Sequence, residues 1–272
     1  MPFNRQRAGI GRPREIIACR LGRRFTTHLL WGNRVDLAIV IPVLNEAESL
    51  APLLDEITTA LSGQTGYEII VVDDGSTDAT RAELSRCLGR CPALRVILHE
   101  ARCGQSAAIA TGVDAAHSNW IVTLDGDGQN DPADILRLYH TLREAPADVG
   151  LVNGHRARRR DNLLRRLSSR IANGVRALVL GDGIPDSACG LRAFARATFM
   201  YLPRFDHMHR FLPALVRRQG LRVLSVDITH RERTGGHSKY GLHNRLWIGI
   251  VDLLGVWWLK RRALRPVIEK RE

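Results

Sequence analysis

Four short apolar runs constrain this chain most: Leu37-Ala-Ile-Val-Ile41, Glu68-Ile-Ile-Val-Val72, residues 94–99, and Trp120-Ile-Val-Thr-Leu124. Hydrophobicity that is continuous, not alternating, marks strands covered on both faces. Between the runs lie helical patterns. Residues 49–61 place Leu50, Leu53, Leu54, Ile57 and Leu61 on one helical face. A second helix is expected over about 79–88, and Gly104-Gln-Ser-Ala-Ala108 opens a third. Strands alternating with helices imply an α/β fold, a mostly parallel sheet sandwiched by helices, with right-handed crossovers. Such sheets bind ligands at the carboxyl ends of their strands. Three of these strand ends are polar, acidic or glycine-rich: Pro42-Val-Leu-Asn-Glu46, Asp73-Asp74-Gly-Ser-Thr-Asp78, and Asp125-Gly-Asp127-Gly-Gln-Asn-Asp-Pro132.

The last of these is the most distinctive. Asp125 and Asp127 are two residues apart, so an extended chain directs both carboxylates to one side. Gly126 and Gly128 are expected to leave room for a close approach to the backbone. Paired carboxylates at the end of a buried strand need a compensating cation. Mg2+ or Mn2+, shared between one or two carboxylates and substrate phosphates, meets that need. A solvated turn after a strand is the plainer alternative. No G-x-G-x-x-G follows the first strand, and G-x-x-x-x-G-K-[ST] is absent. A dinucleotide-dependent dehydrogenase or a P-loop NTPase is therefore poorly supported.

The 272 residues suffice for one sizeable domain with an appendage. A formal net charge of +12 calls for an acidic partner: phosphorylated substrates, an anionic membrane surface or nucleic acid. Nucleic acid ranks last, because neither an aromatic-basic RNA signature nor zinc-finger spacing is present. The five cysteines form no C-x-x-C pair, which suggests free thiols in a reducing compartment. No apolar run reaches the roughly 18 residues of a spanning helix, and no secretory signal is visible.

Taken together, Pro42-x-x-Asn45-Glu46, Asp73-Asp74-Gly75-Ser76, Gly104-Gln105-Ser106 and Asp125-x-Asp127-x-Gln129 resemble the family 2 glycosyltransferases of GT-A fold. Asp186-Ser-Ala-Cys-Gly190-Leu-Arg192 and His230-x-x-Arg233-x-x-Gly236-x-Ser238-Lys239-Tyr240 look like the branch that makes polyprenyl-phosphate sugars, the dolichol-phosphate mannose synthases and their bacterial relatives. The resemblance covers about residues 37–262. The Q-x-x-R-W signature of processive polymerases is absent.

The resemblance implies an inverting, metal-dependent transfer of a sugar from GDP-mannose or a UDP-sugar to a polyprenyl phosphate. It assigns Pro42, Asn45, Glu46, Asp74, Gly104, Gln105 and Asp125 to the nucleotide. Helix capping is the structural alternative for Asn45 and Glu46. It assigns Asp125, Asp127 and Gln129 to the metal, with Asp127 catalytic. Arg156, Arg165, Arg233, Ser238 and Lys239 are implied to meet phosphates of donor or acceptor, for which a guanidinium fork is suited. Asp186 sits where a base might be sought. A phosphate acceptor, with its second pKa of about 6, is already nucleophilic at neutral pH. Asp186 is thus a catalytic candidate, with ordering of the basic loop or the turn at Gly190 as its other role.

Residues 1–35 are expected to form a basic arm, 36–240 the transferase domain, and 241–272 an amphipathic membrane-surface helix with a basic tail. Residues 246–259 are apolar apart from Asp252, rich in Trp, and followed by Lys260, Arg261, Arg262 and Arg265. That composition suits a helix in the headgroup region, with a core or dimer helix as the alternative. The expected location is the cytoplasmic membrane face, peripheral or monotopic. This leaves room for a membrane-anchoring partner subunit or a homo-oligomer. Alternative functions are transfer to a cell-envelope glycan and, less favoured, a sugar nucleotidyltransferase.

Overall fold

A computed structural model describes residues 35–64, 66–156, 174, 176, 178–181, 183, 184, 186, 187, 189–231 and 242–263, with the backbone alone for 242–248. The four expected strands are present as β1 (Leu37–Val43), β2 (Tyr67–Asp73), β3 (Leu94–Leu98) and β4 (Trp120–Thr123). Three more follow: β5 (Val149–His155), β6 (Arg192–Ala195) and β7 (Arg222–Asp227). They form one sheet in the order β3-β2-β1-β4-β6-β5-β7. The first four are parallel, as the alternation requires. β6 is wedged antiparallel between β4 and β5, and β7 runs parallel to β5.

Helices cover both faces. α1 (Ala47–Ala60), α2 (Thr80–Leu88) and α4 (Asp134–Glu144) bury Leu50, Leu54, Ile57, Leu84, Leu138 and Tyr139 in one cluster with β1 and β2. The other face is closed by α3 (Gln105–Ala115), α5 (Arg196–Met200), a 3-10 turn (Met208–Phe211) and α6 (Leu212–Arg218). Side chains of β1 alternate between the clusters, Ile39 and Ile41 on one side and Ala38 and Val40 on the other. This two-sided burial is why the run is apolar at every position.

A last helix, α7 (Leu242–Arg261), packs onto the second cluster. Val256 is fully buried there, with Leu253 and Trp257 packed around it. Arg218 Nε donates to Leu259 O (2.8 Å), and Lys260 Nζ donates to Leu180 O. The opposite face leaves Ile250, Val251, Leu254 and Trp258 exposed. Among the described residues, no helix is long and apolar enough to cross a membrane.

Candidate active site

The site is assembled where β1, β2 and β4 end, from loops that bind one another before any ligand is considered. Asn45 adopts a left-handed backbone (φ 54°), which turns its side chain onto the β2 loop. Its Oδ1 accepts the Thr77 N–H (2.7 Å), and its own N–H donates to Ser76 Oγ (2.8 Å). Glu46 N–H donates to Thr80 Oγ1 (3.0 Å). Glu46 occupies the N-cap position of α1, as the capping alternative has it, but makes no side-chain cap bond there. Asp73 is fully buried; it accepts the Ser76 N–H and pairs with Arg81 at 2.8 Å, a structural role.

Asp74 organises the next loop. Oδ1 accepts the Cys103 N–H and Oδ2 the Gly104 N–H, each at 2.8 Å. His99 Nδ1 lies 2.9 Å from Oδ1, and its Nε2 lies 3.0 Å from Thr111 Oγ1. With a carboxylate as acceptor, Nδ1 carries the proton and Nε2 receives the hydroxyl. Asp74, His99 and Cys103 offer ligand atoms within 4.8 Å of one another. This network of donors and acceptors already accounts for that closeness. Asp74 thus anchors the turn from which Gln105 projects.

Gln105 Nε2 donates to Asp125 Oδ1 (2.9 Å), joining the start of α3 to the end of β4. β4 stops at Thr123, and Gly126 and Asp127 form a turn. Turn geometry, not strand alternation, therefore brings the two carboxylates together. Asp127 Oδ1 accepts the Gln129 N–H (3.2 Å), closing the turn. The space at Gly126 belongs to the protein itself: an added Cβ would lie 2.6 Å from Val43 Cγ1. Ser49 Oγ donates to Gly126 O (2.7 Å), fixing the turn to α1. Gly190 lies against the Asp125 carboxylate so closely that an added Cβ would overlap it.

Burial and the charge of Asp127 push the Asp125 carboxyl up to about 6, against the pull of Arg192, Arg156 and the Gln105 hydrogen bond. Among the described residues, neither carboxylate makes an ion pair. Two acidic groups forced together and half-buried, met among the described residues by the neutral Gln105 amide and the Gln129 N–H and by no cation, form a donor set suited to a hard divalent cation.

Two arginines stand behind this pair. Arg192, 2% exposed, donates from Nε to Asn153 Oδ1 (3.0 Å), from Nη1 to His209 O and from Nη2 to Ser187 O (both 2.7 Å). Burial lowers its pKa, while Cys189, Asp125 and Asp186 pull it upward. Arg156 forks onto Asp186, with Nε to Oδ2 at 2.7 Å and Nη2 to Oδ1 at 2.9 Å. Burial disfavours the charged guanidinium, but the Asp186 hydrogen bonds and charge outweigh it and raise its pKa. Asp186 is 2% exposed with both oxygens engaged, the geometry of a group that orients Arg156. Of the residues that the sequence assigns to phosphate, only Arg156 is described; Arg165, Arg233, Ser238 and Lys239 lie outside the described residues. Pro42, the last residue but one of β1, pairs with Val72, and Gln129 O accepts the Arg231 N–H (2.8 Å).

Sequence reasoning assigned no role to Arg192, Asn153 or His209, and passed over Ser49. Arg192 and Gly190 stood inside a quoted motif, but nothing in the string says that Asp125 lies against it.

The glycosyl transferase family 2 profile matches residues 38–202. The chain belongs to glycosyltransferase family 2. The match to this family sets aside the nucleotidyltransferase alternative. A dodecaprenyl-phosphate galacturonate synthase of Rhizobium johnstonii is 36% identical over 237 residues, covering 85% of this chain and 69% of that protein. An undecaprenyl-phosphate 4-deoxy-4-formamido-L-arabinose transferase of Yersinia pestis is 38% identical over 209 residues, 76% of this chain and 63% of that protein. This chain therefore spans somewhat under two thirds of the latter's length. Among solved structures, glucosyl-3-phosphoglycerate synthase of Mycobacterium tuberculosis, in complex with Mn2+, UDP and product, superposes with a TM-score of 0.64 at 19% identity. That likeness covers 84% of this chain and 80% of the other, and it establishes the GT-A fold.

Proposed function

We propose that this family 2 enzyme moves a sugar from a nucleotide donor to a polyprenyl phosphate at a membrane surface, with inversion at the anomeric carbon. The observation that carries the reading is the juxtaposition at the end of β4. The acidic pair Asp125 and Asp127 adjoins Arg156, a cation held in place by Asp186. Both curated relatives quoted above are named for polyprenyl-phosphate acceptors.

In this reading Asp125 and Asp127 hold Mg2+ or Mn2+, with Gln129 as a further candidate ligand. The ion supplies charge neutralisation for the departing nucleoside diphosphate. Gln105 orients Asp125 for that role (2.9 Å). The loops carrying Pro42, Asn45, Glu46, Asp74 and Gly104 form the nucleoside side, with Asp74 acting chiefly as the anchor of its turn. Arg156 meets a phosphate; Arg165, Arg233, Ser238 and Lys239 are assigned to the same task by resemblance.

An acceptor phosphate oxygen attacks the anomeric carbon, the bond to the diphosphate oxygen breaks, and the nucleoside diphosphate leaves with that electron pair. The acceptor is a dianion at neutral pH, so no proton need be removed. This agrees with an Asp186 whose oxygens are both committed to Arg156. Docking would use the exposed face of α7 and its terminal cations.

The test is incubation of purified protein and Mg2+ with undecaprenyl phosphate in detergent and a panel of nucleotide sugars, followed by mass spectrometry of the lipid. A lipid monophosphate sugar, lost with EDTA and restored by Mg2+ or Mn2+, is expected. Sugar transfer to a soluble glycan with no lipid product would overturn the acceptor assignment.

A further inference from the structure

Asp252 is the only acidic residue of α7, set in an otherwise apolar stretch, and the function proposed above leaves it unused. Its side chain is turned inward, 17% exposed, and its buried Oδ2 lies 3.1 Å from His207 Nδ1, a close approach without hydrogen-bond geometry. His207 is one of two non-glycine residues among those described with a left-handed backbone (φ 61°). Such a conformation is strained for a non-glycine residue and persists where its surroundings hold it.

The segment around His207, residues 206–209, reaches the donor side at three points. Asp206 Oδ1 would lie 3.3 Å from a Cβ added at Gly104. His209 Nδ1 lies 2.7 Å from Ser106 Oγ, and the His209 N–H donates to the same oxygen (3.2 Å). The His209 carbonyl accepts from Arg192 Nη1 (2.7 Å). His209 is buried and its pKa is lowered to about 3, by burial first and then by Arg192, Arg210 and His207. It therefore stays neutral and accepts the Ser106 hydroxyl at Nδ1. Gln105, which holds Asp125, is the residue before Ser106.

We propose that Asp252 is a positioning residue for the donor side of the site, acting through His207 and residues 206–209 on the first turn of α3. The terminal helix is thus a working part of the catalytic unit. This rests on reading that turn as the donor side.

The test is nucleoside diphosphate binding (UDP and GDP in turn) by calorimetry with Mn2+, alongside kinetics at fixed acceptor. Asp252→Leu should weaken binding of the nucleoside diphosphate and raise the donor KM up to about fivefold, the scale of losing one partly exposed carboxylate–imidazole contact, with kcat little changed. Asp252→Glu should retain most of the affinity. His207→Gly supplies the left-handed backbone without a partner. Adding it to Asp252→Leu should recover affinity, an outcome that a merely structural loss would not give. Wild-type affinity in Asp252→Leu, or a loss that His207→Gly leaves untouched, overturns the proposal. Failure of the wild-type protein to bind any nucleotide would instead refute the donor-site reading beneath it.

Discussion

At the residue scale, the unusual group is Asp125, because its carboxyl is raised to about 6 by burial and by Asp127. A carboxyl whose folded pKa is raised binds its proton more tightly folded than unfolded. Its contribution to stability is complete below the ordinary value of about 4 and is lost as pH rises through about 6. At neutral pH the metal-free enzyme therefore carries a carboxylate that opposes folding by up to about 3 kcal/mol. Asp125→Asn should raise the melting temperature of the metal-free protein at neutral pH and flatten its dependence between about pH 4 and 6, while abolishing transfer. Added Mn2+ should stabilise the wild type and not the variant. A variant less stable than wild type at neutral pH, without metal, would show that the amide disrupts the Gln105 contact more than the charge matters. The carboxylate pair was legible as D-x-D, but its geometry was not. Spacing alone suggested strand alternation, whereas Gly126 packed on Val43 makes a turn that periodicity cannot encode.

At the element scale, β6 decides how the site is closed. β1 to β4 were readable because burial on both faces leaves an unbroken apolar run. β6 was not: it has four residues, begins with a charge, and is antiparallel to both neighbours. Arg192 occupies a core position only because Asn153 Oδ1 and the His209 and Ser187 carbonyls take up its donors. Those partners come from β5, the 3-10 turn and the loop before β6, so no local sequence window contains them. Arg192→Met should leave the Asn153 and Ser187 acceptors buried without a donor and the His209 carbonyl partly so, each buried acceptor costing about 1–3 kcal/mol. A net loss of roughly 3–5 kcal/mol is expected after relaxation. Arg192→Lys keeps the charge without the planar fork and should fall between. Urea unfolding checks this, read as a lower midpoint at unchanged slope. A midpoint for Arg192→Met equal to wild type would show that the site reorganises freely around the missing cation.

At the scale of the whole molecule, α7 faces two ways, and the sequence contained both readings without choosing. Val256, Leu253 and Trp257 pack on the transferase core, which fits the core-helix alternative. Val251, Leu254 and Trp258 are 66%, 56% and 54% exposed, which fits a surface that meets lipid. Deleting the helix would therefore confound docking with loss of core, and substitutions on the outer face separate them. Burying an apolar side chain of this size is worth about 1.5–3 kcal/mol, and roughly half of each remains to be buried here, near 3 kcal/mol in all. Arg261 and Arg262 add about 1 kcal/mol each at an anionic surface, whereas Lys260 is held by the Leu180 carbonyl. Arg261 stacks on Trp257 (4.2 Å) and Arg262 approaches Trp258 (5.8 Å), placing charge beside the apolar face. The sum, about 5 kcal/mol, is on the scale of one acyl chain, so docking there would be reversible. Val251→Gln, Leu254→Gln and Trp258→Gln together should cut partitioning onto anionic vesicles about a hundredfold, the factor that follows from 3 kcal/mol. The melting temperature should barely move, because these side chains touch water already. High salt should weaken wild-type docking only in part, since screening removes the cationic share and leaves the apolar one. Sedimentation of the triple variant equal to wild type would place the membrane contact elsewhere. A large fall in its melting temperature would show that the outer face is covered by protein, as in a dimer.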